Sequence, residues 1–224
     1  MSVNISEIFV SLQGEGFKTG TPSIFIRTAG CNFFEDKEHG SHPCHWCDSS
    51  FAWKREGKEY SDTDIINEIE RLHIKTGVNN VVLTGGEPLF AETKDLITYC
   101  SKHYNLTVET NGSLPIWHES CLWSVSFKGP SSGNQEYNNY DNIRLLDYNS
   151  QLKFVIANRE DFEWAKDIIN SYCPMTNIVF QPAYKLMSPN KLIKWVMKDK
   201  ELSWQVRVLN QMHKTWFKPG RRGV

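Results

Sequence analysis

Residues 61–88 read SDTDIINEIERLHIKTGVNNVVLTGGEP, and this stretch decides the architecture. Ser61 followed by Asp64 is an N-terminal cap signal, Ile65, Ile66, Ile69 and Leu72 recur at helical spacing, and Gly77 can adopt the left-handed conformation that ends a helix. Val81, Val82 and Leu83 then form a short apolar run ending at Thr84, the pattern of a buried strand. The alternation continues downstream. It predicts a helix over 93–103, strands at 106–109, 123–127 and 152–156, a helix over 161–172 and a strand at 178–181. A helix then begins at Ser188 with Pro189 in its first turn, and a last strand lies at 205–209. With N-terminal strands at 5–10 and 23–27, the pattern predicts an α/β fold built as an incomplete TIM-like (βα)6 barrel.

The chain has 224 residues, 40% of them hydrophobic, enough for one sizeable core, so a single domain spanning 1–224 is expected. Twenty-five basic against 26 acidic side chains leave a net charge of −1, which gives no general attraction for nucleic acid or for an anionic membrane. A small substrate fits this balance better than a polymer. The opening MSVNISEIFV lacks a basic region followed by a long apolar stretch, and no later run approaches the ~18 apolar residues of a membrane span, so a cytoplasmic location is expected. Residues 30–57 and 129–150 show no periodicity, and loops of that length usually serve a site.

Three of the six cysteines crowd into the first of these loops. Cys31, Cys44 and Cys47 read C-x12-C-x2-C, and three thiolates can hold a cubane iron–sulfur cluster while leaving its fourth iron open to a ligand. The competing reading is a structural zinc, because His39, His42 and His45 lie beside the cysteines and a Cys3His set would complete a tetrahedron. Cys100, Cys121 and Cys173 stand alone in apolar or amphipathic segments, as ordinary thiols do, and no disulfide framework is expected.

Thr84-Gly85-Gly86-Glu87-Pro88 sits at the carboxyl end of an apolar strand, where barrels place their sites. Its glycines would let a ligand approach the backbone, and Glu87 can accept bonds from an ammonium group. Together with the three-cysteine loop upstream, the sequence resembles the radical S-adenosylmethionine superfamily. Within it the resemblance runs from residue 5 to the end of the chain and is to the 7-carboxy-7-deazaguanine synthase family of the queuosine and deazapurine pathway. The motifs that carry it are Ser11-Leu12-Gln13-Gly14-Glu15-Gly16, Phe25-Ile26-Arg27, Cys47-Asp48-Ser49, Thr84 to Pro88, Glu109-Thr110-Asn111-Gly112, His213-Lys214 and Arg222-Gly223-Val224.

The resemblance implies a radical S-adenosylmethionine core with a [4Fe–4S] cluster on Cys31, Cys44 and Cys47. It implies substrate contacts at Leu12, Gln13, Gly14, Glu15, Arg27 and Thr84. A carboxylate such as Glu15 suits the N–H edge of an aminopyrimidinone, and Arg27 offers a fork to a carboxylate. Contacts to S-adenosylmethionine are implied at Trp46, Asp48, Gly86, Glu87, Ser126, Lys128 and Gln181, continuing to Tyr184, and a magnesium ion at Ser49, where the family uses threonine. Two departures stand out. The family pattern Ser-Pro-Lys is here Ser126-Phe127-Lys128, and the usual three-residue first gap of the cysteine motif is lengthened by Asn32 to Pro43. A substrate contact by a terminal carboxylate, known in some members, is not carried to Val224.

The reaction so implied converts 6-carboxy-5,6,7,8-tetrahydropterin to 7-carboxy-7-deazaguanine with loss of ammonia. A 5′-deoxyadenosyl radical takes hydrogen from C6, and S-adenosylmethionine is regenerated. An electron donor such as flavodoxin or ferredoxin, and a homodimer, are further expectations from the family. Alternatives are another radical enzyme such as a glycyl-radical activase, a zinc-stabilised binding module, and a scaffold without turnover. The eight tryptophans do not favour RNA, because they are spread along the chain without a basic stripe.

Overall fold

The computed structural model describes residues 2–35, 42–202, 205–217 and 222–223. His39 and Val224 therefore lie outside the described residues. Among the described residues, nine strands form one sheet: β1 (Ser2–Leu12), β2 (Pro22–Thr28), β3 (Lys58–Ser61), β4 (Asn80–Gly85), β5 (Asn105–Thr110), β6 (Leu122–Phe127), β7 (Gln151–Ile156), β8 (Asn177–Pro182) and β9 (Val206–Val208). Their order is β3-β1-β2-β4-β5-β6-β7-β8-β9. From β2 onward every neighbouring pair is parallel, whereas β1 pairs antiparallel with both β2 and β3. The sheet curls into an open barrel with β3 and β9 at its edges, as the sequence pattern predicts.

The helices are α1 (Asn32–Glu35), α2 (Asp62–Thr76), α3 (Lys94–His103), α4 (Arg159–Tyr172), α5 (Pro189–Lys198) and α6 (His213–Trp216). Helix α2 begins and ends as its sequence signals dictate. Ser61 and Asp64 form a reciprocal capping box, and Gly77 takes φ 72° at the C-terminus. The structure adds what periodicity did not reveal: strand β3, whose four residues find their partner on β1, and three 3-10 turns, Pro130–Ser132, Gln135–Tyr137 and Tyr140–Leu145, inside the second aperiodic segment. Among the described residues, no helix is long and apolar enough to cross a membrane.

Strand alternation sorts the side chains into two sets. Ile24 and Ile26 on β2, Val81 and Leu83 on β4, Trp123, Val125 and Phe127 on β6, Leu152, Phe154 and Ile156 on β7, and Ile178 and Phe180 on β8 join the main hydrophobic core. That core includes Ile65 and Ile69 of α2, Leu96 and Ile97 of α3, Phe162 and Ile169 of α4, and Leu192 and Val196 of α5. Edge-to-face aromatic contacts chain Phe127 to Phe154, Phe180 and Phe162. The alternate positions, among them Arg27, Thr84, Glu109, Ser126, Lys153 and Gln181, line a cavity on the other face. Register sets several of them side by side: Arg27 beside Thr84, and Ser126 beside Lys153.

Candidate active site

The cavity, of about 230 Å³, collects nearly every residue singled out from the sequence. Leu12, Gln13, Gly14, Glu15, Arg27 and Thr84 line it, as do Trp46, Asp48, Gly86, Ser126, Lys128 and Gln181, the three clustered cysteines, and Ser49. Glu87 is the exception. Its side chain is fully buried and turned into the protein, accepting bonds from Thr110 Oγ1 (2.7 Å), the Asn111 backbone N–H (2.6 Å) and the Leu89 backbone N–H (3.1 Å). Those bonds tie the tip of β4 to that of β5. The expectation that the carboxylate accepts from an ammonium ligand does not fit this placement.

The paired glycines also serve the packing of the chain. A Cβ on Gly86 would sit 2.0 Å from the Gly30 carbonyl oxygen, and one on Gly85, where φ is 138°, would meet the Thr28 backbone. The glycines thus let two backbone segments close on each other. Gly86 N–H donates to Thr28 O, Glu87 N–H to Gly30 O, and Gly30 N–H to Ala52 O. This backbone knot holds Cys31 one residue beyond β2's exit turn, where its own N–H donates to the Trp53 carbonyl.

Cys31, Cys44 and Cys47 are free thiols facing the cavity from a small apolar cluster with Phe33, Phe34, Trp53 and Tyr137. Burial pushes Cys31 up to about 12, with Glu87 adding to the effect, and burial likewise raises Cys44 and Cys47. Such thiols become good ligands once a metal's charge replaces the lost solvation. With Zn–S bonds of ~2.3 Å, the ligand sulfurs of one zinc lie at most ~4.6 Å apart. Among the described residues, the one group of three or more histidine, cysteine or acidic side chains converging within 4.8 Å is Glu15, Asp48 and His213, not the cysteines. Three cysteine thiolates are the number that suits a cubane with an open fourth iron. His42 and His45 do not line the cavity; they stack on each other, with ring centroids 5.0 Å apart, near Gly133.

The second aperiodic segment buttresses this loop. Trp46 Nε1 donates to Ser131 Oγ, Asn134 Nδ2 to the His42 carbonyl, and His45 N–H to the Ser132 carbonyl. Ser131 is in turn held by Asp161 at the start of α4. Phe127, which replaces the family's proline, keeps β6 extended into the core, and alternation brings Ser126 and Lys128 to the cavity face. Lys128 is buried, donates to Ser126 Oγ and lies over the Trp46 ring, so it is not a solvated loop charge. Gln181 is buried at the cavity wall with its Oε1 unpartnered, an acceptor awaiting a donor.

Strand and loop residues of the same cavity form a charged network. Gln13 Nε2 and Thr84 Oγ1 donate to the two oxygens of Glu109, at 2.9 and 2.8 Å. Lys153 Nζ donates to Glu15 Oε2 at 2.5 Å, and Gln211 Nε2 bridges Glu15 and Asp48 at 2.9 Å each. Asp48 also pairs with Lys214 (2.8 Å) and accepts from Ser49 Oγ (3.3 Å). Burial opposes the charge on Glu15, but Lys153 and His213 outweigh it and hold the carboxyl below the usual range. For Asp48, burial is overcome by His213 and Lys214, and its carboxyl lies well below that range. Arg27 is held at Nε by Glu7 (2.9 Å). Lys153 and Gln211 were not singled out from the sequence. Lys153 did carry a signal, as a lone charge between two core residues in a strand; Gln211 carried none.

Over its full length, the chain is 33% identical to the 7-carboxy-7-deazaguanine synthase of Clostridium acetobutylicum, covering 100% of both chains. The chain belongs to the 7-carboxy-7-deazaguanine synthase family. It is also 30% identical to the synthase of Koribacter versatilis, covering 99% of this chain and 100% of that one, and 32% identical to that of Chlorobaculum tepidum, covering 99% and 97%. The Radical SAM superfamily model matches residues 25–120, which include the cysteine loop and the tips of β4 and β5. The crystal structure of QueE from Escherichia coli superposes with a TM-score of 0.69 at 22% identity, covering 93% of this chain and 94% of that one, which shows the shared fold.

Proposed function

We propose that this chain converts 6-carboxy-5,6,7,8-tetrahydropterin to 7-carboxy-7-deazaguanine and ammonia, a step of queuosine and deazapurine biosynthesis, acting as one domain over residues 1–224. The observation that carries this reading is the facing of three free cysteines and a polar clamp across one cavity. Loss of ammonia balances the reaction without net oxidation, so the cofactors act catalytically.

Cys31, Cys44 and Cys47 would hold the [4Fe–4S] cluster. Gln181 with its unpartnered Oε1, Lys128, Ser126, Trp46 and the backbone at Gly86 would hold S-adenosylmethionine. When bound, these groups supply one-electron hydrogen abstraction. The protein's own part is to orient the substrate and exclude water. Glu15, kept ionised by Lys153, retains lone pairs for the aminopyrimidinone N–H edge, and Gln13 and Thr84 complete that edge through Glu109. Arg27 faces the cavity to take the substrate carboxylate. A magnesium ion would bind the Ser49 hydroxyl together with substrate oxygens, since Mg2+ is a hard cation that keeps several non-protein ligands. The family resemblance supports a flavodoxin or ferredoxin as reductant, a homodimer, and a cytoplasmic location.

The test is anaerobic turnover by iron-reconstituted protein with reductant, magnesium, S-adenosylmethionine and 6-carboxytetrahydropterin, read by mass spectrometry. Formation of 7-carboxy-7-deazaguanine is expected. Formation of 5′-deoxyadenosine alone would retire the substrate assignment, and zinc in place of iron with neither product would retire the enzyme.

A further inference from the structure

Two side-chain N–H groups outside the motifs that carry the family resemblance point at sulfurs of the clustered cysteines. Trp53 Nε1 donates to Cys47 Sγ at 3.2 Å, and Asn134 Nδ2 lies 3.6 Å from Cys44 Sγ. We propose that Trp53 and Asn134 are positioning residues that raise the reduction potential of the cluster by hydrogen bonding to two of its three ligand sulfurs. This rests on the cluster reading given above.

The placement of both donors is specific. Trp53 touches two of the cysteines at once: its carbonyl accepts the Cys31 N–H, while its indole N–H reaches Cys47. Its ring is fixed by stacking on Phe34, with centroids 5.8 Å apart and planes 21° from parallel. An indole has one donor, and a partly buried one normally finds a good acceptor. A neutral thiol is a weak acceptor, whereas a metal-bound thiolate is a strong one. Asn134 is completely buried, and its amide nitrogen has two hydrogens to place. One serves the His42 carbonyl at 2.7 Å, two residues before Cys44, and the other faces the Cys44 sulfur. The carboxamide therefore fixes both the loop and its ligand. Cys31 differs in facing the buried Glu87 and in receiving its bond from a backbone group, at Phe33, whereas Cys44 and Cys47 have a side-chain donor besides their backbone bonds.

Reduction adds negative charge to the cluster, and part of that charge appears on the sulfurs. An N–H donor bonds more strongly to the reduced form and so moves the potential upward, hydrogen bonding to sulfur being one of the levers a protein has on such a cluster. Because the two donors act on different sulfurs, their effects should be roughly additive.

The experiment is an EPR-monitored redox titration of reconstituted wild-type, Trp53→Phe, Asn134→Ala and doubly substituted protein, with iron counted for each. The expected result is an unchanged iron content with a more negative midpoint potential in each single variant, and a further shift in the double. Full iron loading with the wild-type potential in both single variants would overturn the proposal. Pulsed EPR on the wild type in deuterated water gives a readout independent of variant folding. Exchangeable hydrons coupled to the cluster at the distances of these two donors are expected, and their absence overturns the proposal. Wild-type protein that binds no cluster would remove this inference together with the cluster reading; a loaded cluster insensitive to both substitutions would remove this inference alone.

Discussion

The two walls of the cavity are built by different means. The cysteine wall comes from loops, and much of its precision comes from backbone contacts: Gly86 against Gly30, Cys31 against Trp53, and His45 against Ser132. The charged wall joins strand residues to the loop after β1 through side-chain contacts: Lys153 on Glu15, and Gln13 and Thr84 on Glu109. A wall made by backbone tolerates little change in chain path yet needs few special side chains apart from its ligands. A wall made by buried charges depends on each partner, because an unpaired ion left behind is costly.

The largest effect separates the walls outright. Alanine in place of Cys31, Cys44 or Cys47 should abolish iron binding and turnover together while leaving the unfolding midpoint of the metal-free protein little changed. Iron analysis and denaturant titration on the same sample check this. On the charged wall the expectation is reversed. Lys153→Met leaves Glu15 buried without its cation and should cost about 3–5 kcal/mol in urea unfolding, and Glu15→Gln in the same chain should recover part of that loss. The pH dependence follows from the lowered carboxyl of Glu15. Its contribution is complete above the ordinary carboxylate range and is lost as pH falls through the depressed value, so Lys153→Met should flatten the acid limb of the stability curve.

A smaller effect probes the buttress behind the cysteine wall. Asn158 caps α4 by accepting the Asp161 N–H at 2.9 Å, next to the carboxylate that holds Ser131. Asn158→Ala should cost ~1 kcal/mol of global stability without altering iron content; a loss of iron would mean that the buttress, and not the backbone knot, sets the loop. The smallest effect concerns the remaining thiols. Burial pushes Cys100 and Cys121 up to about 12, whereas Cys173 is exposed at the end of α4. Ellman's reagent should modify Cys173 first in the loaded protein and leave the cluster absorbance unchanged.

Local signals were legible in the sequence. The Ser61–Asp64 box, the Gly77 terminator and the period-two runs set most element boundaries, because each depends on neighbours within a turn or a strand. Strand β3 was not legible: Lys58–Ser61 is a strand only by virtue of its partner β1. The motif residues gather at one cavity apart from Glu87, whose carboxylate turns into the protein, since a motif fixes where a residue sits and not where its side chain points. Lys153 and Gln211 belong to the site through contacts 138 and 196 residues away in sequence, which no local pattern encodes.

That last contact bears on how the protein comes into being. Gln211 follows Glu15 by 196 residues, so the bridge from Gln211 to Glu15 and Asp48 forms only after the strands between them have been synthesised. A nascent chain with its cysteine loop already made still lacks part of the charged wall.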